Sequence, residues 1–188
     1  MNNIIFFDLE TQNTFEELGM NSFNSKNPSK LKVAIAGILF DNTNNHMFFG
    51  ESNIQTLLTT LNKADLIIGH NLFRFDYPVL QKYTDTPINS FYNKTFDTMF
   101  ELEQYTNGCW TSLDDLCRLN LGEGKPHSGA LIPQLWRNHQ FKEVEKYLLN
   151  DLMKTKDIYY YIKNNKKVKY THKNYGEIIG EREVKVDW

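Results

Sequence analysis

Long apolar runs are missing from this 188-residue chain, and so is any excess of positive charge. No stretch approaches the roughly 20 apolar residues needed to cross a bilayer, which excludes a transmembrane helix. The opening residues MNNIIFFDLE have no basic start, no extended apolar core and no small-residue cleavage site, so no secretory signal is expected. Lys and Arg number 21 against 23 Asp and Glu, a formal net charge of −2. That balance excludes a histone-like polycation, but not an enzyme that grips a polyanion through metal ions. Cysteines are scarce: Cys109 and Cys117 have no zinc-ligand spacing and read as two reduced thiols of a cytoplasmic protein. No internal repeat or low-complexity tract is present.

What is present suits a globular fold. Apolar residues make up 40% and aromatics 14%, enough to build a real core. The length fits one domain over 1–188, with 166–188 as a terminal extension. Residues 3–9, 32–40 and 46–49 read as strands, with a turn cluster at 41–45. Residues 53–63 are helical, with Asn53 as candidate N-cap. A short strand over 66–69 precedes a helix over 75–83, and Thr95-Phe96-Asp97 is strand-like. Helical patterns follow at 98–105, 112–120, 128–137 and 141–164. Residues 166–173 and 177–187 form a hairpin around Asn174-Tyr175-Gly176. Residues 11–31 read as an irregular insertion that overhangs whatever Glu10 belongs to, either gating it or lying loose. This order of elements suggests a mixed sheet flanked by helices.

Three segments carry candidate chemistry. In Asp8-Leu9-Glu10, residues i and i+2 of a strand point the same way, so two carboxylates project together. Like charges so placed favour a hard divalent cation between them. With 23 acidic residues in the chain, an acidic-x-acidic triplet arises by chance roughly three times, so the pair alone reads equally as a solvent-facing strand end. Asp76 follows a strand and a glycine turn, where a carboxylate ordinarily serves a helix N-terminus. Tyr147 and Asp151 stack at i, i+4 on the helical face that carries Val144, Leu148, Thr155 and Ile158. A carboxylate on that stripe must be paired, hydrogen-bonded or bound to metal; a buried structural aspartate is the alternative, but it would need a cation, and no basic residue is read as sharing the stripe.

Together these segments resemble the DEDD superfamily of 3′-to-5′ exonucleases. Asp8-x-Glu10 is similar to its first motif, Asn71-x-x-x-Phe75-Asp76 to its second, and Tyr147-x-x-x-Asp151 to its third, in the tyrosine-bearing branch. Phe7 to Gln12, Phe96 to Met99, His127 to Trp136 and Val186 to Trp188 resemble a set of small ribonuclease H-like exonuclease domains, with Leu149 where that set often has cysteine. The resemblance implies an α/β, ribonuclease H-like fold: a mixed five-stranded sheet, three antiparallel strands and then parallel ones, flanked by helices and followed by a C-terminal hairpin. It also implies hydrolysis at single-stranded nucleic-acid 3′ ends with two divalent cations, Mg²⁺ or Mn²⁺, DNA being favoured over RNA.

In that reading Asp8, Glu10 and Asp151 hold one cation, Asp8 bridges to a second that Asp76 approaches, and Tyr147 orients the attacking water. For substrate contact the candidates are Thr11, Asn71, Arg74 and Phe75. A turn role explains Asn71 equally, and core packing is the alternative for Phe75 and its neighbours Phe73 and Tyr77. Asp97 reads first as an N-cap, His70 is not required as a ligand, and Ser128 is an adequate cap beside His127. Lys163, Lys166, Lys167, Lys169 and Lys173 are either a strand guide or a solvated edge. The rival functions are RNA end-trimming, a non-catalytic nucleic-acid-binding module, and a recruitment domain for a replication or repair partner. All four carboxylates are present, which counts against the non-catalytic binding module, while the small size leaves recruitment by a partner open.

Overall fold

A computed structural model of the chain describes residues 3–124, 129–174 and 176–188. Strand β1 (Ile4–Thr11) lies at the centre of a five-stranded sheet. It pairs antiparallel with β2 (Val33–Phe40), which pairs antiparallel with β3 (His46–Gly50). On its other side β1 runs parallel to β4 (Leu66–Gly69), and β4 parallel to β5 (Thr95–Asp97). The order is β3-β2-β1-β4-β5, the ribonuclease H-like arrangement expected from the resemblance.

Side-chain alternation on β1 sorts the two faces. Ile5, Phe7 and Leu9 pack with α1 (Ile54–Lys63) and α2 (Tyr77–Gln81) through Leu57, Leu61, Tyr77 and Val79. Phe6 faces the other way, onto Val144, Leu148 and Leu152 of the 25-residue helix α6 (Phe141–Asn165). Asp8 and Glu10 share the parity of Phe6, so the strand turns both carboxylates toward α6. On β2, the ladder partner of Asp8 is Gly37. A side chain there would begin 2.8 Å from Leu152 Cδ1 and 3.0 Å from Leu148 Cδ2, so the glycine makes room for these two leucines of α6 against the sheet.

The rest of α6 serves a second layer. Ile158 and Ile162 pack with Leu116 and Cys117 of α4 (Leu113–Leu121) and with the hairpin β6 (Lys167–Asn174) and β7 (Glu177–Lys185). The outer edge of β6 is protected by α4: the Asn120 side chain donates to the Lys169 carbonyl and accepts its N–H, both at 2.8 Å. Asp115 accepts the Thr171 N–H at 3.2 Å. Cys109 and Cys117 are both buried and reduced. Among the described residues no helix is long and apolar enough to cross a membrane.

Several boundaries differ from expectation. The helix expected over 75–83 is a π-helical turn at Leu72–Asp76 that runs into α2 at Tyr77, where Pro78 suits the first turn. Asn53 makes no side-chain cap bond, because a 3₁₀ turn at Glu51–Asn53 already leads into α1. Helix α3 spans only Thr98–Glu103, and α5 begins at Ile132 and ends at Arg137. His127, Ser128 and Tyr175 lie outside the described residues. The segment expected as an irregular insertion holds three short 3₁₀ turns. It is anchored at Leu31 in the core, by Phe15 against Phe75, and by a Glu17–Arg137 ion pair of 2.8 Å.

Candidate active site

The parallel strands β1, β4 and β5 all end on one edge of the sheet, where open α/β sheets place their ligand sites. β1 outruns β4: their pairing stops at Phe6 and Ile68. Beyond that point the Leu9 N–H has no strand to bond, and Asp76 Oδ1 accepts it at 2.9 Å. The π-helical turn therefore brings Asp76 back onto β1, rather than leaving it to cap α2 as an ordinary helix-start carboxylate would. At the step from Glu10 to Thr11 the register with β2 skips Ala34, a bulge of the kind that re-aims side chains beside functional sites.

One oxygen from each of Asp8, Glu10 and Asp151 lies within 4.8 Å of the others. Asp8 and Glu10 are half-buried, and Asp151 is 4% exposed. Around a cation that holds oxygens at about 2.1 Å, opposite ligands stand about 4.2 Å apart and adjacent ones about 3.0 Å, so side-chain shifts of no more than about 1.8 Å bring the three together on one ion. An all-oxygen, all-anionic donor set of this size fits a hard divalent cation. Asp76 lies close enough to feel the charge of Asp8 and is 2% exposed. Burial drives its carboxyl well above the ordinary carboxylate range, the charge of Asp8 adds to that, and the Leu9 N–H offsets it only in part.

Tyr147 lies one helical turn before Asp151, half-buried, with its hydroxyl beside Gly129; a Cβ on Gly129 would come within 3.2 Å of it. Thr11 is buried, and its hydroxyl donates to the Asn13 carbonyl at 2.9 Å. Asn71 adopts the left-handed conformation (φ 69°), which asparagine tolerates well, so its turn role is real. Phe75 is half-buried with its edge contact to Phe15. The Arg74 guanidinium forks Glu103.

Asp97 does more than the expected cap. It accepts the Met99 and Phe100 N–H groups at the start of α3, and also those of Asn71 (2.8 Å) and Phe73 (3.0 Å). A carboxylate 1% exposed thus fixes the whole Asn71–Asp76 turn. Tyr77 is fully buried in the core. The stripe around Asp151 does contain a cation, contrary to the sequence reading: Lys154, at i+3, is buried and donates to the Gly124 carbonyl at 2.9 Å. Its spacing was readable; its long stem packs apolarly while its ammonium finds a carbonyl. The lysine run is dispersed among partners. Lys163 lies over the Tyr159 ring, Lys166 meets the Trp188 carbonyl, and Lys167 pairs with Glu183.

No family model and no curated protein matches the sequence. In three dimensions the chain is similar to part of the family B DNA polymerase from the hyperthermophilic archaeon Pyrobaculum calidifontis, with a TM-score of 0.61 at 13% identity. The likeness covers 86% of this chain and 24% of that polymerase, so the chain spans about a quarter of its length. At that identity the shared property is the fold.

Proposed function

We propose that the protein is a metal-dependent 3′-to-5′ exonuclease that hydrolyses phosphodiester bonds at single-stranded nucleic-acid ends, DNA in preference to RNA. The observation that carries this reading is the convergence of Asp8, Glu10 and Asp151, from β1 and the distant helix α6, within 4.8 Å. The motif order that resembles the tyrosine-bearing DEDD exonucleases supports it. The fold shared with a DNA polymerase supports the choice of DNA.

Asp8, Glu10 and Asp151 would hold one cation, Mg²⁺ or Mn²⁺, and Asp8 with Asp76 a second. When bound, such a pair supplies a water deprotonated near neutral pH and positive charge for the departing 3′-oxygen. Tyr147, a phenol and so a poor base, orients that water rather than taking its proton. Thr11, Asn71, Arg74 and Phe75 belong to the substrate-contacting margin in this reading.

End-labelled single-stranded DNA, duplex DNA and RNA, each incubated with Mg²⁺, Mn²⁺ or EDTA, test the proposal. Wild type should shorten the single strand stepwise from its 3′ end, while Asp8→Ala and Asp151→Ala leave it intact. An untouched oligonucleotide under every metal would defeat the reading. Cleavage that persists in EDTA would defeat its mechanism.

A further inference from the structure

Beside the second motif, the described surface exposes a group of large aromatic rings. Phe100, Trp110 and Tyr92 keep 49%, 46% and 41% of their surface in solvent. They are joined rather than scattered. The Phe73 ring lies 4.6 Å from Tyr92 and 5.2 Å from Phe100, edge-on to the latter. The Arg74 guanidinium lies 4.7 Å from the Trp110 ring centre and 5.9 Å from that of Phe100. A contiguous aromatic patch left in water marks a contact surface.

The patch is fastened to the candidate active site. Asp97 holds the Phe73 N–H and caps α3, which carries Phe100. His70, beside Asn71, holds the Thr111 carbonyl through Nε2 at 2.9 Å and so fixes the residue next to Trp110. The same turn delivers Asp76 to β1. The charge of Arg74 is engaged by both oxygens of Glu103, so the patch offers flat π surface rather than a cation for phosphate. That chemistry receives flat polarisable rings, and unpaired nucleobases present such faces whereas duplex bases hide them.

We propose that Phe100, Tyr92 and Trp110, backed by Phe73 and Arg74, form a stacking platform for unpaired bases of the strand whose end enters the carboxylate cluster. The choice of ligand rests on the nuclease reading. Binding is measured without turnover, in EDTA, by tryptophan fluorescence with a ten-nucleotide oligothymidylate, a fully abasic phosphodiester of that length, and a proline-rich peptide. Hydrolysis is measured with Mn²⁺ on the oligothymidylate and on a small chromogenic phosphodiester too short to reach the platform.

Phe100→Ala and Tyr92→Ala should each weaken oligothymidylate binding by roughly 5- to 100-fold and raise its KM. Both should leave abasic binding and hydrolysis of the small phosphodiester at wild-type values. Phe100→Leu, which keeps bulk without a π face, should lose as much as Phe100→Ala, and Trp110→Phe should remove most of the quenching. Unchanged oligothymidylate affinity in the ring variants, equal affinity for the abasic polymer, or quenching by the peptide alone overturns the platform. Wild type that binds through the rings yet hydrolyses nothing removes the nuclease reading and leaves the platform standing. Normal hydrolysis with indifferent ring variants does the reverse.

Discussion

Gly37 sits directly across the β1–β2 ladder from Asp8, and the space where its side chain would be is filled by Leu152 of α6. The helix that carries Asp151 thus packs its leucines into the space that β2 leaves open at that position. Gly37→Val should therefore lift α6 from the sheet and cost about 1–3 kcal/mol, lowering Tm by roughly 2–4 °C per kcal/mol. Catalytic turnover should fall by more than that stability loss explains. Pairing it with Leu152→Ala should recover part of both, as read by thermal melts and by the single-strand degradation assay. Normal turnover in Gly37→Val would show that the helix position is not set here.

Burying the Asp76 carboxyl beside Asp8 costs the metal-free protein stability at neutral pH. Its folded pKa is raised by burial and by Asp8, so the folded state binds the proton more tightly than the unfolded chain, whose reference is about 3.9. Stability then falls as pH rises from that reference through the raised folded value, and the full penalty stands above it. Asp76→Asn keeps an oxygen to accept the Leu9 N–H and removes the charge. In EDTA at neutral pH it should melt higher than wild type by a few degrees, on the order of 1 kcal/mol. The gap should close as pH drops toward 4, and nuclease turnover should be lost. A variant that melts lower at neutral pH would contradict this account.

Asp97 holds four backbone N–H groups, two in the Asn71–Asp76 turn and two at the start of α3. Asp97→Ala orphans all four and should cost about 2–4 kcal/mol in urea unfolding. Asp97→Asn, which retains one acceptor oxygen, should cost less. Both should impair turnover through the loosened turn, without abolishing the thermal stabilisation that Mn²⁺ gives.

Tyr147→Phe separates orientation of water from metal binding. Its kcat should fall on the order of 10²-fold. The metal-dependent melting shift should match wild type, about 2.7 kcal/mol at a hundredfold excess over Kd. Gly129→Ala, whose new methyl would crowd the Tyr147 hydroxyl at 3.2 Å, should reproduce part of the kcat loss. A vanished metal shift in Tyr147→Phe would reassign the residue to structure.

The sequence by itself determined the strands, the long late helix and that Asp8 and Glu10 point the same way. Period-2 and period-3.6 patterns are local properties of the chain, and residues i and i+2 of a strand share a face whatever surrounds them. Spacing also paired Tyr147 with Asp151 on a largely apolar helical face. Only the tertiary structure decided which distant groups meet. The use of Asp76 as a substitute strand partner for Leu9 follows from β1 outrunning β4, a relation between two strands about 60 residues apart. The need for glycine at 37 follows from register and helix approach together. The gathering of Phe100, Tyr92 and Trp110 around Phe73 and Arg74 has no sequence period at all, because it is made by three separate segments folding onto one turn. Burial and long-range pairing are properties of the packed chain, so the electrostatics of Asp76 and the exposed ring surface became visible only there.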